Sequence, residues 1–142
     1  MKLRLTLLTA ATLTALSFTA HAAEKGTIMI MVNSLDNPYY ASEAKGASEK
    51  AKELGYKTTI LSHSEDMKKQ NELIDTAIGK KVQGIVLDNA DSTASVAAIE
   101  KAKKAGIPVI LINREIPVDD LALVQITHNN FQAGSEVANV FV

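Results

Sequence analysis

Residues 27 to 40 read Thr-Ile-Met-Ile-Met-Val-Asn-Ser-Leu-Asp-Asn-Pro-Tyr-Tyr. The apolar half predicts a buried strand over 27–33, and the polar half a loop that ends in two aromatics. Asn33, Asp36 and Asn37 then bring hydrogen-bonding groups to the carboxyl end of the strand, the edge at which open α/β sheets bind ligands. Tyr39 and Tyr40 add flat apolar faces beside them. Such a mixture suits a molecule that has both hydroxyls and C–H faces, a sugar or a polyol.

Strand and helix alternate through the rest of the chain. Further short apolar runs predict strands over 57–62, 83–87, 108–112 and, more weakly, 122–126. In the first helix Tyr40, Ala44, Ala47, Ala51 and Leu54 recur at spacings of three and four, one narrow stripe for the sheet, with Glu43, Glu49, Lys50 and Glu53 left to water. Two more helices are expected near 67–80 and 92–105. Gly55 and Gly106 supply left-handed helix ends, Ser64 or Asp66 starts the second helix, and Asp91-Ser92 caps the third. Strands joined by helices run parallel through right-handed crossovers, and both faces of the sheet become covered. The fold class is therefore α/β, a doubly wound parallel sheet.

The start of the chain reads as an export signal. Lys2 and Arg4 precede an apolar stretch over 5–18, and Ala20-His21-Ala22 has the A-x-A form of a cleavage site, so residues 1–22 are expected to be a secretory signal peptide. The apolar stretch is shorter than the ~20 residues of a membrane span, so no stable membrane anchor is expected. Formal charge is −1 for the whole chain, and without a basic stripe no nucleic-acid partner is expected. There are no cysteines, which removes disulfides, thiolate metal sites and a cysteine nucleophile.

Other chemistries find little support. The glycines stand at 26, 46, 55, 79, 84, 106 and 134, with no Gly-rich turn after the first strand, so neither phosphate-binding signature is present and no cofactor is expected. His63 and His128 stand alone, without a partner at metal-ligand spacing, and are expected in surface or loop positions. Ser62, His63, Ser64 and Asp66 are too close in sequence to form a nucleophile, base and orienter, and Asp119-Asp120 lies in a Pro-containing, solvated loop. An enzyme is not expected.

The strand over 108–112 delivers a second polar cluster to the same edge: Asn113, which donates and accepts, and Arg114, a rigid fork of donors. The bland alternative pairs Arg114 with Glu115 or Asp119 on the surface.

Taken together, Ile30 to Tyr40, the repeated helix-Gly-strand units, Gly106-Ile107-Pro108-Val109, Asn113-Arg114 and Thr127-His128-Asn129-Asn130 resemble the amino-terminal part of periplasmic ribose-binding proteins, the sugar-binding subunits of ABC importers. The resemblance covers roughly residues 25–142. It implies a periplasmic protein of the type I binding-protein fold, a sugar or polyol ligand, and the membrane subunits of an importer as partners. By the same resemblance, Asn37 bonds sugar hydroxyls, Tyr39 and Tyr40 stack on the ring, and Arg114 grips ring and hydroxyl oxygens. Asn33 stands where ribose binders usually carry Ser, and Asn113 where they carry Asp. Replacing Asp by Asn exchanges a charged acceptor for a neutral group that also donates, which changes the hydroxyl pattern best satisfied and puts ribose itself in question.

Family members are about twice as long, with two lobes that close on the sugar. The expected organisation here is a signal peptide at 1–22, a sugar-binding lobe at 23–128, and a hinge with the start of a truncated second lobe at 129–142, where Phe131, Val137, Ala138 and Phe141 would lack a partner sheet. The alternatives from other classes are a truncated product without function, an effector-sensing domain of the lactose-repressor kind, which an export signal argues against, and an exported α/β enzyme.

Overall fold

A computed structural model describes residues 25–140; the expected signal peptide lies outside them. The elements run β1 (Thr27–Val32), α1 (Pro38–Glu53), β2 (Lys57–Ser62), α2 (Met67–Gly79), β3 (Gly84–Leu87), α3 (Val96–Lys104), β4 (Val109–Ile112), β5 (Val124–Ile126) and α4 (Asn130–Asn139). The strands pair in the order β2-β1-β3-β4-β5, each neighbour parallel. This is the doubly wound α/β sheet expected from the sequence. The chain leaves β1 toward β2 and then returns to the far side of β1 for β3, so its winding reverses between the carboxyl ends of β1 and β3.

β1 is central and buried: Met29, Ile30, Met31 and Val32 are each no more than 1% exposed. Successive residues of a strand face opposite sides. Met29 and Met31 pack with Ile74 and Ala77 of α2 and Ile99 and Ala102 of α3, whereas Ile30 and Val32 pack with Ala44 of α1.

Coverage of the second face is only partial among the described residues. α1 lies over β1 and β2, and a helix about 10 Å across spans about two strands spaced about 4.8 Å apart. Toward β4 and β5 the same face forms an apolar concavity lined by Ile28, Ala47, Val86, Ile110 and Ile126, and Ile126 is 54% exposed. The expectation that both faces would be covered therefore holds on the α2–α3 side and over only part of the other.

Helix ends follow the expected chemistry with one shift. Gly55 and Gly106 adopt φ of +89° and +78°, which non-glycine residues adopt only at a cost. Asp66 accepts from the amides of Lys68 and Lys69, at 2.7 and 3.1 Å, and caps α2. Asp91 accepts from Thr93 and Ala94 at 2.9 and 2.7 Å, but this closes a turn over 92–95, and the regular helix begins at Val96 rather than 92. Within α1 the buried residues are Ala44 and Ser48, the latter sharing a 2.7 Å hydrogen bond with Thr58; Leu54, expected on the apolar stripe, falls at the helix end and is half exposed. None of the residues of α4 is buried, Phe131 and Val137 included, and Phe141 lies outside the described residues.

Replacing Asp66 by Ala is expected to destabilise the domain by about 1 kcal/mol, the usual value of a helix cap, and to lower Tm by about 4 °C. A melt of the variant checks this; an unchanged Tm would mean that the Asp66 side chain adds nothing.

Candidate ligand-binding site

The polar residues that follow β1, β3 and β4 meet where the winding reverses. Asn33 and Asp88 are fully buried there. The Asp88 amide extends the β1–β3 ladder by donating to Met31 O at 2.9 Å, which seats its carboxylate beside the end of β1. Asn33 Nδ2 donates to Asp88 Oδ2 at 3.2 Å, and Asn113 Nδ2 donates to Oδ1 and Oδ2 at 3.3 and 3.2 Å. Asn113 has a φ of +66°, a left-handed conformation that Asn tolerates better than most side chains. Its amide donates to Ile126 O at 2.9 Å, tying the turn to the end of β5.

Of the two tyrosines only Tyr39 joins this cluster. Its hydroxyl donates to Asn113 Oδ1 at 3.3 Å and lies 3.0 Å from His128 Nε2. Tyr40 meets Tyr39 edge to face, with centroids 5.1 Å apart, and packs against the Ile30–Val32–Ala44 cluster. The Asn37 side chain accepts from Tyr39 N at 2.9 Å and caps α1; it is exposed and stands apart from the Asn33–Asp88–Asn113 hydrogen bonds.

Arg114 is clasped to the loop after β3. Its Nη1 donates to the carbonyls of Asn89, at 3.0 Å, and Ala90, while Asn89 Nδ2 donates back to Arg114 O at 2.6 Å. Glu115 instead accepts from Thr127 at 3.0 Å, so the surface pairing of Arg114 with Glu115 or Asp119 does not form among the described residues. Beneath the loop, Gln70 accepts from Ala90 N at 2.7 Å and donates to Ser95 Oγ at 2.9 Å, and both side chains are buried.

Burial dominates the electrostatics. It pushes the Asp88 carboxyl up to about 6, aided by Glu43 and Glu65 and opposed by the Asn113 hydrogen bond and by Arg114. Tyr39 is pushed up to about 12, by burial first and by Glu43 second, so its hydroxyl remains a neutral donor. His63 was expected on a surface or in a loop; it follows β2 but is fully buried, and desolvation lowers its pKa. Its ring Nε2 lies 2.7 Å from the Asp88 carbonyl, which as an acceptor takes the ring N–H. His128 occupies a loop, as expected, against Tyr39.

The sequence reading placed none of five residues of this neighbourhood at the site: Glu43 was expected in water, His63 and His128 in surface or loop positions, and Asp88 and Asn89 were assigned no role. Asp88-Asn89 follows the apolar run of β3 just as Asn33 follows β1 and Asn113-Arg114 follows β4, and that repetition is the signal that would have found it. Glu43, expected in water, is only partly exposed with Oε2 buried; it stands one helical turn after Tyr39 and lines a small hollow with Asn113, Thr127 and His128. Amide, carboxylate, guanidinium and phenol groups on one apolar-backed edge can bind a small polyhydroxylated molecule by hydrogen bonds and ring contact. Among the described residues no helix is long and apolar enough to cross a membrane, and no three acidic or histidine side chains are grouped to hold a metal ion.

Comparison with known proteins gives concordant results. The model of the periplasmic binding protein domain family matches residues 28–142. A D-apiose import binding protein of Actinobacillus succinogenes is 47% identical over 135 residues, which cover 93% of this chain and 44% of that protein. The ribose import binding protein of Bacillus subtilis is 30% identical over 116 residues, 82% of this chain and 37% of that one. Among solved structures, an ABC transporter periplasmic solute binding protein of A. succinogenes with bound D-allose aligns with a TM-score of 0.61 at 30% identity, over 66% of this chain and 34% of that chain. The chain thus spans less than half the length of these curated relatives.

Proposed function

This chain belongs to the periplasmic binding protein domain family, and from that premise we propose that it supplies the amino-terminal lobe of a periplasmic receptor that captures a sugar or polyol for an ABC importer. The observation that carries the reading is the convergence of Asn33, Asp88 and Asn113 at the point where the sheet reverses its winding, with Tyr39 and Arg114 beside them. Ligands of open α/β sheets bind at such a point. In this reading Asn33, Asn37 and Asn113 meet ligand hydroxyls, Tyr39 and Tyr40 present ring faces, and Arg114 turns the donors not spent on the Asn89 and Ala90 carbonyls toward ligand oxygens. The name of the A. succinogenes relative makes D-apiose the first ligand to try. Export through residues 1–22 and docking on the importer's membrane subunits belong to the same proposal.

A site offered by these residues alone covers one side of a ligand and leaves its other polar groups in water, so a Kd of about 1 mM, near −4 kcal/mol, is expected. The test is thermal unfolding of the chain with D-apiose, D-ribose, D-allose and myo-inositol, each against sucrose at equal concentration to correct for general osmolyte stabilisation. One sugar at about 100-fold over Kd is expected to stabilise the fold by about 2.7 kcal/mol. Arg114→Ala, which removes charged hydrogen bonds of about 1.5–3 kcal/mol, is expected to erase most of that shift. A cooperative melt that no sugar moves, or a shift that Arg114→Ala leaves intact, would refute the assignment or the role of Arg114 respectively.

A further inference from the structure

We infer that Asp88 is the positioning residue of this edge: by engaging the Nδ2 groups of Asn33 and Asn113 together, its carboxylate turns the Oδ1 acceptors of both amides away from itself, so that the site selects ligand hydroxyls that donate. The recognition half of this inference rests on the sugar reading above; the positioning half does not.

An ionised carboxylate accepts only, so an amide beside it presents N–H, not C=O. Both amides obey this, at 3.2 Å for Asn33 and at 3.2 and 3.3 Å for Asn113. Their oxygens then face away from the carboxylate. Asn113 Oδ1 receives the Tyr39 hydroxyl, while Asn33 Oδ1 is buried without a partner among the described residues. A buried acceptor left unpaired costs about 1–3 kcal/mol; with Asn33 Oδ1 enclosed, the acceptor this arrangement offers a ligand O–H is the second lone pair of the partly exposed Asn113 Oδ1. The carboxylate that the resemblance leads one to expect at position 113 is therefore present one strand away, at 88, where it acts through the two amides. Burial pushes its pKa up to about 6, so it is ionised at neutral pH and above, and on protonation it becomes a donor and loses its hold on one amide. The groups that bear on it from the surrounding elements are Tyr39 and Glu43 of α1, His63 and Glu65 beyond β2, and Arg114 beyond β4.

The experiment uses the whole chain and its side-chain amide NMR signals. Wild type is followed from pH 8 to pH 4.5, and Asp88→Asn at pH 8, with D-apiose as the titrated probe in both proteins. The Nδ2 signals of Asn33 and Asn113 are expected to move together as the pH falls, to be displaced in Asp88→Asn, and D-apiose affinity is expected to drop about tenfold or more in that variant. Amide signals that follow neither pH nor the substitution would overturn the positioning role whatever the ligand; the wild-type pH series decides this even if the variant does not fold. Displaced amides with unchanged D-apiose affinity would overturn the recognition half. No sugar binding by wild type would instead refute the sugar reading and its recognition half, while the amide signals still decide the positioning half.

Discussion

Leu87→Ala is expected to destabilise the domain by about 3 kcal/mol, within the range of about 2–5 kcal/mol for emptying a packed leucine site, and to lower Tm by about 12 °C. Leu87 is fully buried. It is the last residue of β3, in register with Met31 of β1 on one side and Leu111 of β4 on the other. All three belong to the cluster that α2 and α3 cover, so the cavity would open in the middle of the sheet, where backbone pairing on both sides resists collapse. The consequence reaches the site because Asp88 is the next residue, and its placement depends on the Asp88 N to Met31 O bond. Any sugar-induced rise in Tm should therefore shrink along with stability. Val124→Ala supplies the contrast: Val124 lies on the edge strand β5 and is 43% exposed, so its loss should stay below about 1 kcal/mol. Urea unfolding of both variants checks the pair. Equal midpoints would mean that β3 is not the mechanical centre of this edge.

The same central strands explain which parts of the site could be read from sequence. Asn33 and Asn113-Arg114 were legible because each directly follows an apolar run, and parallel strands must end on one side. Asp88-Asn89 obeys that rule equally, but the sequence reading passed from the strand over 83–87 to the Asp91-Ser92 cap without assigning it a role, and the helix starts four residues later than expected. Tyr39 and Tyr40 are chemically alike and adjacent, yet a helix separates neighbours by about 100°, so one reaches Asn113 while the other packs on the α1 core. The residue pattern does not reveal that the Arg114 Nη1 would be drawn to the Asn89 and Ala90 carbonyls, or that His63, polar and next to a turn, would be buried under Asp88. These are contacts between strand ends brought together by the sheet order, and a single sequence carries only the order along the chain.

Asn33→Asp is the other substitution with a large expected effect, and its size depends on pH. It replaces a donor 3.2 Å from Asp88 Oδ2 by a second acceptor, at a position with no exposure. Two carboxylates about 4 Å apart repel by roughly 4 kcal/mol at an effective dielectric of ~20, the figure expected for the loss of stability at pH 8. The pair can relieve this by sharing one proton, and then titrates jointly, with one pKa raised further. An acid whose pKa is higher folded than unfolded contributes stability below its unfolded value and loses it as pH rises through the folded one. Asp88 alone, pushed from 3.8 up to about 6, already gives wild type a contribution of that sign. His63, whose pKa is lowered, has the opposite one, since the unfolded chain takes up its proton first as pH falls. Subtracting wild type from variant at each pH removes the His63 contribution. The remaining deficit is expected to shrink to about 1 kcal/mol at pH 5, where one O–H bridges the two oxygens. A deficit equally large at pH 5 and pH 8 would place its cause in packing rather than in charge, and with it the claim that an ionised Asp88 orders this edge would fall.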